Sequence, residues 1–373
     1  MRMIDRPKLL LLIPHLGRGG AERVSALLAQ HLSREKYELH LALVTQAATA
    51  VPPFPPGVTV HFLGATRVRF AAFRVLSLVR RLRPCLILSG MFHLNFLVLL
   101  LRPMFPPATC VLVRQNGTLS TSLASDHLPF FTRLFYRWLY PRADQVVCQS
   151  AAMAEDLARQ LAISTTRLPV LRNPVDVEAI RDETANSPSL WTGSGPHLLA
   201  IGRLSREKGF DLLLQALAAV REQLPSADLV IAGAGPEEAA LRDQCRNLGL
   251  ESAVHFAGRT AQPAKYFPGA SAFVLPSRHE GMPNALLEAA AAGLPLVALP
   301  ASGGVVELLR GQPGTWLAHE ISSPALASTL LAALRELQPA QRFIHPFIDE
   351  FRIDRALRAY ENLIDRALRQ RLP

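Results

Sequence analysis

Residues 277–293 read S-R-H-E-G-M-P-N-A-L-L-E-A-A-A-A-G, and an apolar, strand-like run from Ala272 to Leu275 precedes them and stops at Pro276. Pro283 suits a first helical turn, where its missing N–H costs nothing, and the helix formers from Asn284 to Ala292 run on to a stop at Gly293. Strand, loop and helix in this order are the repeating unit of an α/β fold. Glu280 falls in the loop, and Glu288 lies about two turns farther on. Between them, the backbone N–H groups of Gly281 to Asn284 emerge from the positive end of the helix and suit an electron-rich oxygen ligand. Taken alone, the two carboxylates also fit a plainer reading, one solvated and one capping the helix end.

At 373 residues the chain is too long for one ordinary core and suits two domains. A hydrophobic content of 49%, with no repeat or low-complexity tract, indicates a folded globular protein. Cys85, Cys110, Cys148 and Cys245 stand far apart without a C-x-x-C, so neither a disulfide framework nor a zinc site is expected, and a reducing cytosol suits them. Arg2, Arg6 and Lys8 open the chain, but the apolar run behind them, Leu9 to Ile13, is five residues long and ends at Pro14. It reads as a buried first strand and not as a signal peptide. The longest apolar run, Cys85 to Leu101, contains Gly90, His93 and Asn95. A spanning helix needs about 20 apolar residues, so a strand from Cys85 to Leu88 followed by a core helix is expected.

The net charge of +10 is spread unevenly. Residues 1–175 hold 21 Lys+Arg against 8 Asp+Glu, net +13, whereas residues 176–373 hold 19 against 22, net −3. No acidic residue occurs between Glu38 and Asp126, a stretch with eight arginines. Such a field on one half implies an anionic partner there: a membrane surface, a lipid phosphate or a nucleic acid. Residues 67–83 place Val68, Ala72, Val75, Val79 and Leu82 on one helical face, flanked by arginines, with Phe70 and Phe73 pointing away from it. Docking on a sheet explains the stripe, whereas two outward phenylalanines among arginines suit a membrane interface. A second basic aromatic segment, P-F-F-T-R-L-F-Y-R-W-L-Y-P-R, follows at 129–142, and together the two favour membrane contact.

Behind the first strand, P-H-L-G-R-G-G-A-E leads into a helix expected from about Ala21 to Leu32. Gly17, Gly19 and Gly20 let the backbone approach a ligand, and the helix N-terminus suits phosphate. His15 stands at the strand's carboxyl end, where open α/β sheets bind ligands. A strand from Cys110 to Val113 runs into R-Q-N-G-T-L-S-T. The strand Gln145 to Cys148, the helix Ala151 to Leu161 and L-R-N-P-V-D at 171–176 close the first domain, and the polar segment from there to Gly195 reads as a linker. The second domain opens with the strand His197 to Ile201 and the loop G-R-L-S-R-E-K-G-F, in which Arg203 and Lys208 can clamp a diphosphate from two sides. D-L-V-I-A-G-A-G-P-E-E at 228–238 is a buried strand, a glycine turn and a helix start that needs no ligand. V-H-F-A-G-R at 254–259 and S-G-G-V-V-E at 302–307 follow, and a last helix is expected over about Asp349 to Leu372.

Strands and helices alternate through both halves, so each half is expected to be a doubly wound, Rossmann-like α/β domain. With G-G-A-E at 19–22, R-x4-K at 203–208, G-x-G-P at 233–236 and E-x7-E at 280–288 in order over nearly the whole chain, the sequence resembles the family 4 retaining glycosyltransferases of GT-B fold, of the bacterial polysaccharide and lipid-linked glycan type. That resemblance implies two domains facing across a cleft: an acceptor-binding domain over 1–175, a nucleotide-sugar-binding domain over 176–348, and a terminal helix over 349–373 returning to the first. It implies transfer of a hexose or N-acetylhexosamine from a nucleoside diphosphate sugar, UDP foremost, with retention, the acceptor attacking from the leaving-group face.

By the same resemblance Glu280, Arg203 and Lys208 are the catalytic residues. Donor contacts come from Gly19, Gly20, Arg203, Lys208, Gly258, Arg259, Gly281, Met282, Pro283, Asn284 and Glu288, with Glu288 on the ribose hydroxyls and Glu280 on the sugar. Many relatives place a histidine near the loop where this chain has Arg114 and Asn116, so the acceptor-side polar residue is left among His15, His93, Arg114 and Asn116. The chain has no D-x-D, so no metal and no cofactor beyond the co-substrate is expected, and Arg203 and Lys208 would neutralise the leaving diphosphate. The expected partners are the nucleotide-sugar donor and an anionic membrane surface or a polyprenyl diphosphate-linked acceptor, with no nucleic acid. The expected location is cytoplasmic, peripheral on the inner face of the cell membrane. Two other readings stay open at this point: a nucleotide-sugar epimerase on the same fold, and a non-catalytic protein binding through its basic half.

Overall fold

Leu9 to Ile13 are apolar at every position because the strand they form is covered on both sides, as in parallel sheets. The computed structural model that shows this describes residues 6–16, 19–45, 54–124, 129–260, 262–301 and 303–371; Arg2, Gly17, Asp126, Ser302 and Leu372, named above, lie outside them. The chain divides into two units, Met1–Pro174 with Asp354–Pro373, and Val175–Ile353.

In the first unit, β1 (Lys8–Ile13), β2 (Glu38–Thr45), β3 (Val58–Ala65), β4 (Leu86–Ser89), β5 (Cys110–Arg114) and β6 (Gln145–Val147) form a parallel sheet in the order β3-β2-β1-β4-β5-β6. Its helices are α1 (Gly20–His31), α2 (Ala72–Leu82), α3 (Phe92–Leu101), α4 (Leu119–Ala124), α5 (Pro129–Leu139) and α6 (Ala151–Leu161). Leu10 and Leu12 of β1 share a core with α2, α3, α5 and α6. Leu9, Leu11 and Ile13 pack on the other side, with α1 and with the chain's last helix.

The second unit begins with α7 (Val177–Asn186) and continues through β7 (His197–Ile201), α8 (Phe210–Gln223), β8 (Asp228–Ala232), α9 (Glu238–Asn247), β9 (Val254–Gly258), β10 (Ala272–Leu275), α10 (Asn284–Ala291), β11 (Leu296–Ala298), α11 (Val305–Leu309), β12 (Thr315–Leu317) and α12 (Ser323–Glu336). Its sheet is parallel in the order β12-β11-β10-β7-β8-β9, which, counted from β7, repeats the order of the first sheet. Leu199 packs with α7, α10 and α11, and Leu198 and Ala200 with α8, α9 and α12. Two doubly wound parallel sheets are the architecture expected from the alternating pattern.

Three segments differ from their sequence reading. The polar stretch after Asn173 holds α7 in place of a linker: Asp176 caps the helix by accepting from the Ala179 amide at 3.1 Å, and Val177 and Ile180, three apart, are buried in the second unit. The stretch expected as one helix over 67–83 breaks at Ala71 into a 3₁₀ turn, Val68–Phe70, and α2. The last helix is also two pieces. A 3₁₀ turn, Pro346–Phe351, packs Ile348 and Phe351 into the second unit, and α13 (Ile353–Arg371) docks on the first through Tyr360, Leu363, Ile364, Ala367 and Leu368.

Candidate functional site

Open parallel sheets bind ligands beyond the carboxyl ends of the strands where the strand order reverses. In the second unit that point lies between β7 and β10. The loop leaving β7 carries Arg203 and Lys208, and the loop leaving β10 carries Glu280. The two loops meet through these side chains. Lys208 Nζ lies 2.6 Å from Glu280 Oε1, and Ser277 Oγ donates to the same oxygen at 2.7 Å. The Glu280 side chain is only 6% exposed, against 27% for Lys208, so the carboxylate tolerates its burial because an ammonium and a hydroxyl both serve it.

Backbone shape holds the loops at this spacing. Gly209 has φ +66° and Gly303 φ +90°, and a Cβ on the first would strike the Pro276 carbonyl, on the second the Glu280 carbonyl. Arg278 adds a side-chain tie, donating to both carboxylate oxygens of Asp211 at 2.6 Å and to the Arg206 carbonyl at 2.9 Å. Burial works to raise the Asp211 carboxyl, but the Arg278 hydrogen bonds and charge outweigh it and hold the group below its ordinary value.

The other donor-side residues fall around this pair. Arg203 is exposed. Gly281, Met282 and Pro283 are buried in the turn into α10, Asn284 is its first residue, and Glu288 is buried within it. Among the described residues the amides of Gly281 and Met282 donate to no backbone carbonyl, which leaves them suited to an oxygen ligand. Gly258 ends β9 with φ +68° and its carbonyl accepts from the Gly233 amide at 2.8 Å; Arg259 beside it is exposed. Sequence reading gave no part to Ser277, Asp211 or Arg278. Ser277 and Arg278 stand in the same stretch as Glu280, but the Asp211 partnership spans 67 residues and has no local signal.

In the first unit the corresponding point lies between β1 and β4. His15, beyond β1, is half-buried with Nδ1 3.9 Å from Glu22 Oε1, and Gly19 and Gly20 are exposed at the start of α1. His93, beyond β4, is exposed in the first turn of α3, with its ring edge-on to Phe92. Arg114 ends β5 and Asn116 lies two residues beyond it, and here the structure separates the acceptor candidates. Arg114 is 2% exposed, and its guanidinium donates to Asn116 Oδ1 at 2.7 Å and Asn173 Oδ1 at 2.5 Å, so it stands behind Asn116 and not at the surface. Gln149 Nε2 also donates to Asn116 Oδ1, at 2.8 Å, and Asn95 joins the network by donating to the Arg114 carbonyl at 2.9 Å. Asn116, half-buried and held by two donors, remains beside His15 and His93 as a group that reaches solvent.

Comparison with known proteins covers both units. Residues 18–179 match the family described as Glycosyltransferase Family 4, and residues 195–336 match Glycosyl transferases group 1. The N-acetylgalactosamine-N,N'-diacetylbacillosaminyl-diphospho-undecaprenol 4-alpha-N-acetylgalactosaminyltransferase of Campylobacter jejuni is 29% identical over 313 residues, 81% of this chain and 83% of that protein. The lipopolysaccharide core biosynthesis glycosyltransferase LpsE of Rhizobium meliloti is 27% identical over 295 residues, 78% of each. In fold, the chain is similar to sucrose-phosphate synthase from Thermosynechococcus elongatus, with a TM-score of 0.79 at 17% identity over 97% of this chain and 99% of that one. It is also similar to Anabaena HepE, solved in complex with UDP, with a TM-score of 0.75 at 19% identity over 96% and 99%.

Proposed function

The chain belongs to the family 4-type glycosyltransferases of GT-B fold, and from that membership we propose that it moves a hexose or N-acetylhexosamine from a nucleoside diphosphate sugar, UDP foremost, to a lipid-linked or polysaccharide acceptor with retention at the anomeric carbon. One observation carries the donor side: Lys208 and Glu280, from the two loops that flank the reversal of strand order, meet at 2.6 Å. A diphosphate takes up the Lys208 ammonium and the exposed Arg203 guanidinium, and the sugar hydroxyls face Glu280 and the amides of Gly281 and Met282. Glu288 takes the ribose hydroxyls. The bond from the anomeric carbon to the phosphate oxygen breaks while the two cations neutralise the departing charge. The acceptor hydroxyl bonds to that carbon from the same face and passes its proton to the departing phosphate oxygen. No metal is required on this reading, because Arg203 and Lys208 do the work of one.

The acceptor side rests on two supports. The Campylobacter relative is named for a diphospho-undecaprenol acceptor, and residues 1–175 of this chain carry 21 Lys+Arg against 8 Asp+Glu. No helix among the described residues is long and apolar enough to cross a membrane. We therefore assign the protein to the inner face of the cell membrane as a peripheral enzyme, its first unit toward anionic lipid. The test is product analysis with radiolabelled UDP sugars and an undecaprenyl diphosphate-linked glycan, with Arg203→Ala and Lys208→Ala in parallel. Each variant is expected to lose roughly 10² or more in kcat/KM. Full activity in both removes the diphosphate clamp, an inverted product anomer removes retention, and activity that EDTA abolishes and magnesium restores removes metal independence.

A further inference from the structure

Helix α5 is apolar on two sides. Tyr136 and Leu139 point into the core of the first unit, while on the outer side Phe130, Phe131, Leu134, Phe135 and Trp138 are 72%, 55%, 37%, 52% and 67% exposed. Positions 130, 131, 134, 135 and 138 recur at the helical period and form one stripe. A contiguous apolar surface of this kind marks a place where something docks.

Charge decides what docks. The helices α2, α3 and α5 pack into the same core on one face of the sheet, and Phe96 of α3 meets the ring of Phe135 at 5.8 Å. None of the three contains Asp or Glu. Their exposed charges are arginines: Arg74, Arg80 and Arg81 on α2, and Arg133 and Arg137 on α5. Phe73 on α2, 81% exposed, and Leu100 on α3, 58% exposed, continue the apolar surface onto the neighbours. A second copy of the chain would bring these arginines against their own kind. A bilayer with anionic headgroups accepts both features at once, rings among the acyl chains and guanidinium groups at the phosphates.

We propose that α5 is the element of this chain that lies in the interface of an anionic bilayer, its stripe from Phe130 to Trp138 inserted and its arginines on the headgroups. The inference deepens the peripheral location proposed above and rests on it. Vesicles of phosphatidylglycerol and phosphatidylcholine in equal parts, with and without brominated acyl chains, test it. Trp138 is exposed, whereas Trp191 and Trp316 are half-buried in the second unit, so surface quenching reports α5. The wild type is expected to float with these vesicles and to lose emission to bromine. Phe130→Ser with Phe131→Ser is expected to weaken partitioning about tenfold or more, with its thermal transition and its affinity for UDP unchanged. Phe62→Ser, which removes a ring 67% exposed on the edge strand β3, is expected to leave partitioning intact. No flotation of the wild type overturns the peripheral location as well. Flotation without quenching, or flotation undiminished in the α5 variant, overturns the insertion of α5 alone. Equal binding to pure phosphatidylcholine overturns the anionic requirement, and a dimer that the α5 variant dissociates gives the stripe to a second copy.

Discussion

At Glu280 one contact serves the fold and, on the proposed function, the chemistry, and substitution can separate the two. Lys208→Met leaves the buried carboxylate with Ser277 alone, and an under-served buried charged group costs roughly 1–3 kcal/mol or more. Lys208→Met combined with Glu280→Gln removes both charges, so denaturant unfolding is expected to show most of that loss recovered while kcat/KM stays low. If activity returned with stability, the pair would be structural only. Arg203 offers the opposite case: it is exposed, so Arg203→Ala is expected to leave unfolding free energy within about 0.5 kcal/mol of wild type while kcat/KM falls. Glu288→Gln is expected to weaken calorimetric binding of the free nucleoside diphosphate, because a carboxylate accepts two ribose hydroxyls better than an amide; equal affinity would count against that role. Arg203, Lys208, Glu280 and Glu288 were each singled out one by one, the first two from their places beyond a strand and the two glutamates through the E-x7-E resemblance. That Lys208 pairs with Glu280 was not legible, because 72 residues separate them and the contact exists only once β7 and β10 lie side by side.

Elements were legible where hydrophobic period and turn chemistry agree, as in the helix between Pro283 and Gly293. They were misread where polar residues outnumber apolar ones. In α7 two buried side chains, Val177 and Ile180, were too few to outweigh an Asn-Pro turn and a polar run, although the Asp176 cap was a usable signal. The docking of α13 also carries polar ties that no local pattern announces. Lys36 Nζ meets Glu361 Oε2 at 2.7 Å, and the Tyr37 hydroxyl donates to Asp365 Oδ1 at 2.5 Å. Burial, then the Asp365 hydrogen bond, raises the Tyr37 phenol above its ordinary value. A group whose folded value is raised contributes fully below its unfolded value, about 10 for tyrosine, and loses that contribution as pH rises above it. The protein is therefore expected to lose thermal stability between about pH 10 and 11, and Tyr37→Phe is expected to flatten that slope. Burial also pushes the Cys110 and Cys148 thiols up to about 12, a background of the same sign that both proteins share. Identical slopes in the two proteins would show that the phenol does not hold α13.

At the scale of the whole molecule, the alternation of strands and helices made two α/β domains legible, whereas the interleaving of the chain was legible only as a property of the family that the sequence resembles. Physically it follows from the sheet: Leu9, Leu11 and Ile13 of β1 face a surface that α1 covers together with α13, which comes from the far end of the chain. The second unit is one continuous piece, Val175–Ile353, with an apolar core on each side of its sheet, whereas the first needs residues from both ends. This asymmetry predicts different fates for the two when cut apart. The fragment 175–353 is expected to unfold cooperatively by itself and to keep the Lys208–Glu280 pair. A bound donor then stabilises it by mass action, about 2.7 kcal/mol at one hundred times Kd, so a thermal-shift screen of UDP, GDP and ADP sugars on the fragment identifies the nucleotide without any acceptor. The fragment 1–174 lacks α13 and leaves that side of β1 partly uncovered, so it is expected to bind hydrophobic dyes and to melt without a sharp transition until a peptide of residues 353–373 is added. A fragment 1–174 that melts as sharply as the full chain, or a fragment 175–353 that gains nothing from any nucleotide sugar that stabilises the full chain, would mean that the two units do not divide folding and donor binding in this way.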